Sequence, residues 1–242
     1  MPRYFIEVSY KGTRYSGFQV QQNANSIQAE VEKALKIYYR TDFQLTGSSR
    51  TDAGVHALQN FFHFDSPSPI TDETYHLNAI LPNDIVVKKI YEVKDDAHCR
   101  FDAISREYRY VIYQQKDPFL EESAWYYPYS IDLDLLQQAA NEITQHTDFT
   151  SFSKRNTQVH TFQCNIITSQ WSWENDRLIY YVKGNRFLRG MVRGLVGTML
   201  QAGRQKITLD QFRSIIETKD CTKADFSVPP HGLFLIKVNY PA

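Results

Sequence analysis

Apolar and polar residues alternate over positions 4–10, the two-residue period of a half-buried strand, and the Gly-punctuated stretch 11–18 predicts a loop after it. The period then lengthens. Ile27, Val31, Ala34, Leu35 and Tyr38 fall on one face of a helix, with Asn25 as its cap and Gln28 three residues on, as in a capping box. Positions 43–45 and 61–64 predict two strands. The polar stretch 47–54 is therefore a loop mounted on a sheet, a common place for function because a rigid scaffold positions exposed side chains. A helix over 71–80 ends at Leu81-Pro82, since a residue preceding proline avoids the helical region, and 85–93 returns as a strand.

In the second half, Tyr108, Tyr110 and Ile112 alternate against Glu107, Arg109, Val111 and Tyr113, which predicts an aromatic-rich strand over 105–113. A helix over 132–145 carries Leu135, Leu136, Ala139, Ala140 and Ile143 on one face. A hairpin pairs 165–173 with 178–183 around Glu174-Asn175-Asp176. A long helix is predicted from near Asn185, with an apolar stripe running from Phe187 and Leu188 to Met199 and Leu200. At about 100° per residue, Arg186, Arg189 and Arg193 share a sector of roughly 60° beside that stripe. A short helix over 209–218 and a strand over 232–240 complete the chain. The class is α+β, with two similar-sized sheet-and-helix subdomains, residues 1–103 and 104–242, and no strong internal repeat.

Composition narrows the class of function. With 42% hydrophobic residues in 242, the chain can bury a sizeable core, and no apolar run approaches the roughly 18 residues of a membrane helix. The start lacks the apolar core of a secretory signal, so a cytoplasmic location is expected. Cys99, Cys164 and Cys221 are odd in number and far apart, and no His, Cys, Asp or Glu grouping has zinc spacing. With no Gly-x-x-x-x-Gly-Lys phosphate loop either, neither metal nor cofactor is expected. The 27 basic and 27 acidic residues cancel, so net charge announces no nucleic-acid partner. Distribution is more informative: from 177 to 207 the chain carries Arg177, Lys183, Arg186, Arg189, Arg193, Arg204 and Lys206, with no Asp or Glu. A solvated face balanced by acidic neighbours in space would give the same pattern.

Asp52 stands two residues after Arg50 and just before Ala53-Gly54. A nearby guanidinium keeps a carboxylate ionised in a water-poor pocket, and an ionised carboxylate can act as nucleophile or base. Asp-Ala-Gly is also the composition of a plain turn.

The segment Arg50-Thr51-Asp52-Ala53-Gly54-Val55-His56-Ala57 resembles the signature loop of the TruA family of tRNA pseudouridine synthases. Tyr10-Lys11-Gly12, Tyr15-Ser16-Gly17-Phe18-Gln19 and Gln22 resemble its amino-terminal loop, and 78–85 its middle element. His98-Cys99-Arg100-Phe101-Asp102-Ala103 with Arg106-Glu107-Tyr108-Arg109-Tyr110 resembles its central strand. Asp148-Phe149-Thr150-Ser151-Phe152, the stretch 185–193 and Gly232-Leu233-Phe234-Leu235 complete the order, so the likeness covers nearly the whole chain. Two positions depart from the family pattern: Ser49 stands where Gly is common, and Val228 where a small residue is usual. A serine at position 49 would alter the loop if that position requires a positive φ.

The resemblance implies a pseudouridine synthase fold of mainly antiparallel sheets, with the active-site cleft between the two subdomains. It also implies the isomerisation of uridine to pseudouridine, in which the base is cut from C1′ of the ribose, turned and rejoined through C5. In that likeness Asp52 is the catalytic carboxylate, Arg50 holds it or contacts a phosphate, and Arg193 pairs with it. Tyr108 stacks on the target base, while it is the basic helical face read from periodicity that makes Arg186 and Arg189 expected substrate-binding residues. Attack by the carboxylate and removal of a sugar proton both remain open as its role. The implied substrate is the tRNA anticodon stem-loop at positions 38, 39 and 40, and the implied assembly is a homodimer without membrane association. Another RNA substrate, or tRNA binding without catalysis, are the rival readings.

Overall fold

The computed structural model describes residues 1–71, 73–155 and 159–241. The chain divides into two compact units, one of residues 1–104 with 234–242, the other of residues 105–233. The final strand, read from sequence with the second half, thus groups with the first.

In the first unit, β1 (Arg3–Tyr10) lies between β3 (His56–Asp65) and β4 (Ile85–Val93), antiparallel to both. The short β2 (Thr46–Gly47) adds to β3. β9 (Leu233–Asn239) pairs parallel to β3 through His56 with Phe234 and Ala57 with Leu235. Strict alternation is lost in β1 because both of its faces are covered: Tyr4 and Phe43 meet Phe64, while Phe5 meets Phe61, Tyr91 and Tyr240. Helix α1 (Ile27–Tyr39) buries Ile27, Val31, Ala34 and Leu35, as their spacing requires. Its cap is Ser26, one residue later than expected: the Ala29 amide donates to Ser26 Oγ at 3.2 Å. Gln28 does not close a capping box, because its Nε2 donates to Leu45 O and Glu32 Oε1. Helix α2 (Thr74–Ile80) starts later than the predicted 71, and Asp72 lies outside the described residues.

In the second unit, β5 (Ser105–Tyr113) and β7 (Ile166–Glu174) flank β8 (Arg177–Gly184) in antiparallel register, and β6 (Trp125–Tyr126) pairs parallel to β5. Asn175 and Asp176 turn the β7–β8 hairpin with φ of 47° and 61°, a turn whose twist matches the strands. Asp132 caps α3 (Leu133–Ile143), accepting from the Leu135 amide at 3.0 Å, and a full capping box of Thr208 and Gln211 opens α5 (Leu209–Glu217). Helix α4 (Met191–Gly203) is buried on nearly all sides, and Trp171 Nε1 donates to its Met199 Sδ at 3.4 Å.

The predicted long helix from Asn185 is corrected here. Residues 185–189 are not helical, and α4 begins only after Gly190, whose φ of 75° is left-handed. The Asn165 amide donates to Asn185 Oδ1 at 2.8 Å and the Asn185 amide to Asn165 O at 3.0 Å, tying the segment to the start of β7 instead. Helical phasing therefore does not align Arg186 and Arg189 with Arg193, and the shared basic helical face is absent.

Candidate active site

Asp52 lies in a loop that is exposed at its tip and clamped underneath. Ser48, Ser49 and Thr51 are buried, Asp52 is partly exposed, and Arg50 and Ala53 reach solvent. A polar network below the loop accounts for this. Thr51 Oγ1 and Tyr10 OH share a hydrogen bond of 2.8 Å. The side chain of Asn60, fully buried in β3, donates to Tyr10 OH at 3.2 Å and to Ser49 O at 2.8 Å. The Phe18 amide donates to Thr51 O at 3.1 Å, and the Val55 amide closes the turn onto Asp52 O at 3.2 Å. Buried polar groups cost free energy unless paired, so each of these bonds penalises any displacement of the loop.

Two further contacts hold the loop's far end. The Gly12 amide donates to His56 Nδ1 at 3.0 Å, and the His56 ring stacks on Phe234 at 4.7 Å. Gly12 runs so close to Val55 that a Cβ on it would overlap the Val55 carbonyl. The Lys11–Tyr15 segment is itself anchored on Asp84, which accepts from Tyr15 OH and Arg14 Nε at 2.7 Å each. Burial pushes the Asp84 carboxyl upward, but the bonds from Arg14 and Tyr15 outweigh it and hold the group below its ordinary range. None of Tyr10, Asn60 and His56 was singled out from sequence as a loop support. The available signal was Asn60 itself, a polar residue inside an apolar strand.

Ser49 needs no positive φ, so replacing the family's glycine does not strain the backbone. Its consequence lies elsewhere: Ser49 Oγ is buried and has no hydrogen-bond partner among the described residues.

In the second unit, Tyr108 on β5 is buried to 8% exposure, and its ring meets Phe187 edge-on at 5.0 Å. Arg193, in the first turn of α4, donates from Nε to Val228 O at 2.6 Å and from Nη2 to Phe226 O at 3.4 Å. The segment receiving these bonds is pinned to α4, since the Asp225 amide donates to Thr198 Oγ1 and Gln201 Nε2 to Asp225 Oδ2. Val228 thus contributes its carbonyl, while its side chain packs in the core. Arg186 is half-buried and Arg189 exposed, both in the non-helical segment before Gly190. Lys183, another of the basic run, pairs with Glu107 at 3.3 Å.

The linear spacing predicts no metal cluster, yet the fold brings His63, His98 and Cys99 together, with their potential ligand atoms within 4.8 Å of one another. Sequence spacing misses this because position 63 sits on β3 and positions 98 and 99 on a later turn. Two nitrogens and a thiolate would suit zinc. Here the groups are hydrogen-bonded: His63 Nδ1 lies 3.1 Å from Cys99 Sγ, and the thiol donates to Thr46 O at 3.1 Å. His98 Nδ1 accepts from the amides of Arg100 and Phe101, so the neutral ring carries its proton on Nε2 and offers no lone pair there. Burial lowers the His63 pKa to about 4, and the nearby His98 ring and Arg3 guanidinium act in the same direction because either, when protonated, opposes a second charge.

Comparison with known proteins places the chain in a family. A family model described as tRNA pseudouridine synthase matches residues 6–102 and 139–241, which include the Asp52 loop and Arg193 but not Tyr108. The chain is 45% identical over 244 residues to tRNA pseudouridine synthase A of Parabacteroides distasonis, covering 100% of this chain and 97% of that protein. It is 42% identical over 248 residues to tRNA pseudouridine synthase A of Porphyromonas gingivalis, covering 100% and 98%. To the protein of that name from Staphylococcus aureus strain MRSA252 it is 35% identical over 240 residues, covering 98% and 91%. Matched in both halves by the family model and along its full length by these relatives, the chain belongs to the TruA family of tRNA pseudouridine synthases.

Proposed function

We propose that this protein isomerises uridine to pseudouridine in the anticodon stem-loop of tRNA, at positions 38, 39 and 40, with Asp52 as its catalytic carboxylate. The observation that carries this reading is the full-length likeness to tRNA pseudouridine synthases A, joined to a loop that presents Asp52 on a buried polar clamp. A carboxylate in such chemistry must meet a sugar or base carbon within a narrow geometry, and loss of about 1 Å of positioning costs on the order of 100-fold in rate. The bonds from Tyr10, Asn60 and Phe18 supply that rigidity before substrate arrives.

The target base must leave its stack to react, at a cost of a few kcal/mol. Exposed Arg50, two residues from Asp52, is suited to hold a phosphate of the extruded nucleotide. Tyr108, fixed edge-on by Phe187, serves to stack on the base. Arg193, held by the carbonyls of Val228 and Phe226, presents an oriented guanidinium to an anionic partner. Arg186 and Arg189 add phosphate contacts as separate loop residues rather than as one helical face. The reaction needs no redox step. We further propose that the enzyme acts in the cytoplasm as a homodimer, because two copies double the basic surface available to RNA from a chain of zero net charge. Among the described residues, no helix is long and apolar enough to cross a membrane.

The test is to map pseudouridine in tRNA after incubation with wild type and with Asp52→Asn. Product confined to the anticodon arm and absent with the variant is the expected outcome. Full turnover by Asp52→Asn would remove the catalytic assignment. Product in another RNA would move the substrate, and tRNA binding without product would leave a binding protein.

A further inference from the structure

A cleft in the first unit is lined by Gln19, Gln28, Arg50, His98, Arg100 and Phe101, over a floor of Phe18, Leu45, Thr46 and Gly47. It contains two guanidinium groups, two carboxamides and an aromatic edge, and among the described residues no Asp or Glu lines it. Phe101 is 73% exposed, although a phenylalanine gains by burial. The Arg100 guanidinium lies 5.6 Å from the Phe101 ring centroid, and the His98 ring meets the same ring at 4.2 Å.

This aromatic is not on a loose loop. The His98 amide donates to Asp102 Oδ2 at 2.7 Å and the Asp102 amide to His98 O at 3.0 Å, while the amides of Arg100 and Phe101 both point to His98 Nδ1. Fully buried Cys99 anchors the turn from below: its thiol donates to Thr46 O, and its carbonyl accepts from Tyr240 OH at 2.6 Å. The fold thus spends a set of hydrogen bonds on holding one phenylalanine and one arginine outward.

We propose that this cleft is a subsite for a nucleotide next to the target uridine, with its base stacked on Phe101 and its phosphate held by Arg100 and Arg50. The inference rests on the RNA-modifying reading above. An exposed aromatic accepts any base by stacking, and guanidinium groups supply the backbone contact, the pairing used for unpaired nucleotides. A charged cleft free of carboxylates favours an anionic ligand over an apolar protein segment. Arg50 connects the cleft to the proposed chemistry, because it stands two residues before Asp52. A nucleotide bound there is a neighbour of the reacting one.

The experiment measures Kd, KM and kcat for an anticodon stem-loop RNA with wild type, Phe101→Ala, Phe101→Trp and Arg100→Gln, with sedimentation and thermal unfolding as controls. Phe101→Ala is expected to raise Kd roughly 5- to 100-fold, the range for loss of one base–aromatic stack, with a larger change in KM than in kcat. Phe101→Trp should restore binding. Arg100→Gln should reduce the slope of log affinity against log salt by about one. Unchanged Kd and salt slope would overturn the subsite. So would a loss that Trp fails to rescue, or one explained by a shift in sedimentation, which would make the face a contact between copies. If wild type made no pseudouridine in any tRNA, the functional reading would fall by itself, while the binding comparison would still decide the subsite.

Discussion

The Asp52 loop and the Arg186–Arg193 segment are both short, polar stretches next to packed elements, and they are built in opposite ways. The first is held from beneath by buried groups of other elements: the side chains of Tyr10 and Asn60 and the Phe18 amide grip Ser49 and Thr51, and Gly12 closes on Val55 and His56. The second rests on a left-handed Gly190 that delays α4 and on backbone ties among more exposed residues, between Asn165 and Asn185 and from the Lys154 amide to Arg189 O at 3.0 Å. A loop fixed by buried non-local bonds holds its position as long as the core does. One set by a backbone turn and bonds near the surface tolerates more change.

Substituting one glycine in each region separates these two designs with the largest effect. In Gly12→Ala the added Cβ meets Val55 backbone, which has no flexible end to yield, so we expect a loss of about 3 kcal/mol in urea unfolding. A fall in kcat on the order of 100-fold should accompany it as the Asp52 loop shifts. In Gly190→Ala the nearest atoms belong to the flexible Lys154 side chain, at 3.0 Å, and the variant is expected to cost about 1 kcal/mol for its positive φ. Equal losses from the two variants would remove the contrast.

A second test uses pH. His63 lies in the same unit as the clamped loop, and its folded pKa near 4 is below the ordinary 6.5. Below pH 6.5 the unfolded chain takes up a proton that the folded chain refuses until about pH 4. Stability is therefore fully present above that window and is lost as pH falls through it, by up to about 3 kcal/mol. Urea midpoints between pH 7 and pH 4.5 should drop more for wild type than for His63→Gln, and parallel profiles would show that another group is responsible.

The smallest expected effect is a gain. Ser49→Ala removes a buried hydroxyl without a partner while leaving the backbone bond from Asn60 in place, so stability should rise by about 1 kcal/mol with activity retained. A loss of stability would mean that Ser49 Oγ has a partner, such as ordered water, in solution.

Period-two and period-3.6 patterns sufficed for β4, β5 and the buried face of α1, because in each the burial is strong and local propensity agrees with it. The motif order along the chain pointed to the family, and the Asp52 stretch was legible as a loop between strands. Periodicity failed at 185–190. An apolar stripe counts residues that need burial but is blind to the φ of one glycine, and Phe187 and Leu188 are accommodated without a helix. The cap of α1 moved from Asn25 to Ser26 for a similar reason: both residues can accept the bond, and only the chain's path selects one.

By itself, the sequence determined most of the strands and helices, though it misread 43–45 as a strand and 185–190 as helix, and it determined where a carboxylate stands beside an arginine on a loop and which family the motifs belong to. Tertiary structure alone decided what lies beneath that loop, which arginines share an element, and that His63, His98 and Cys99 meet. The physical reason is one of range. Backbone propensity and hydrophobic period act over a few residues, whereas a buried hydrogen bond such as that between Tyr10 and Thr51 exists only after strands far apart in the chain have paired.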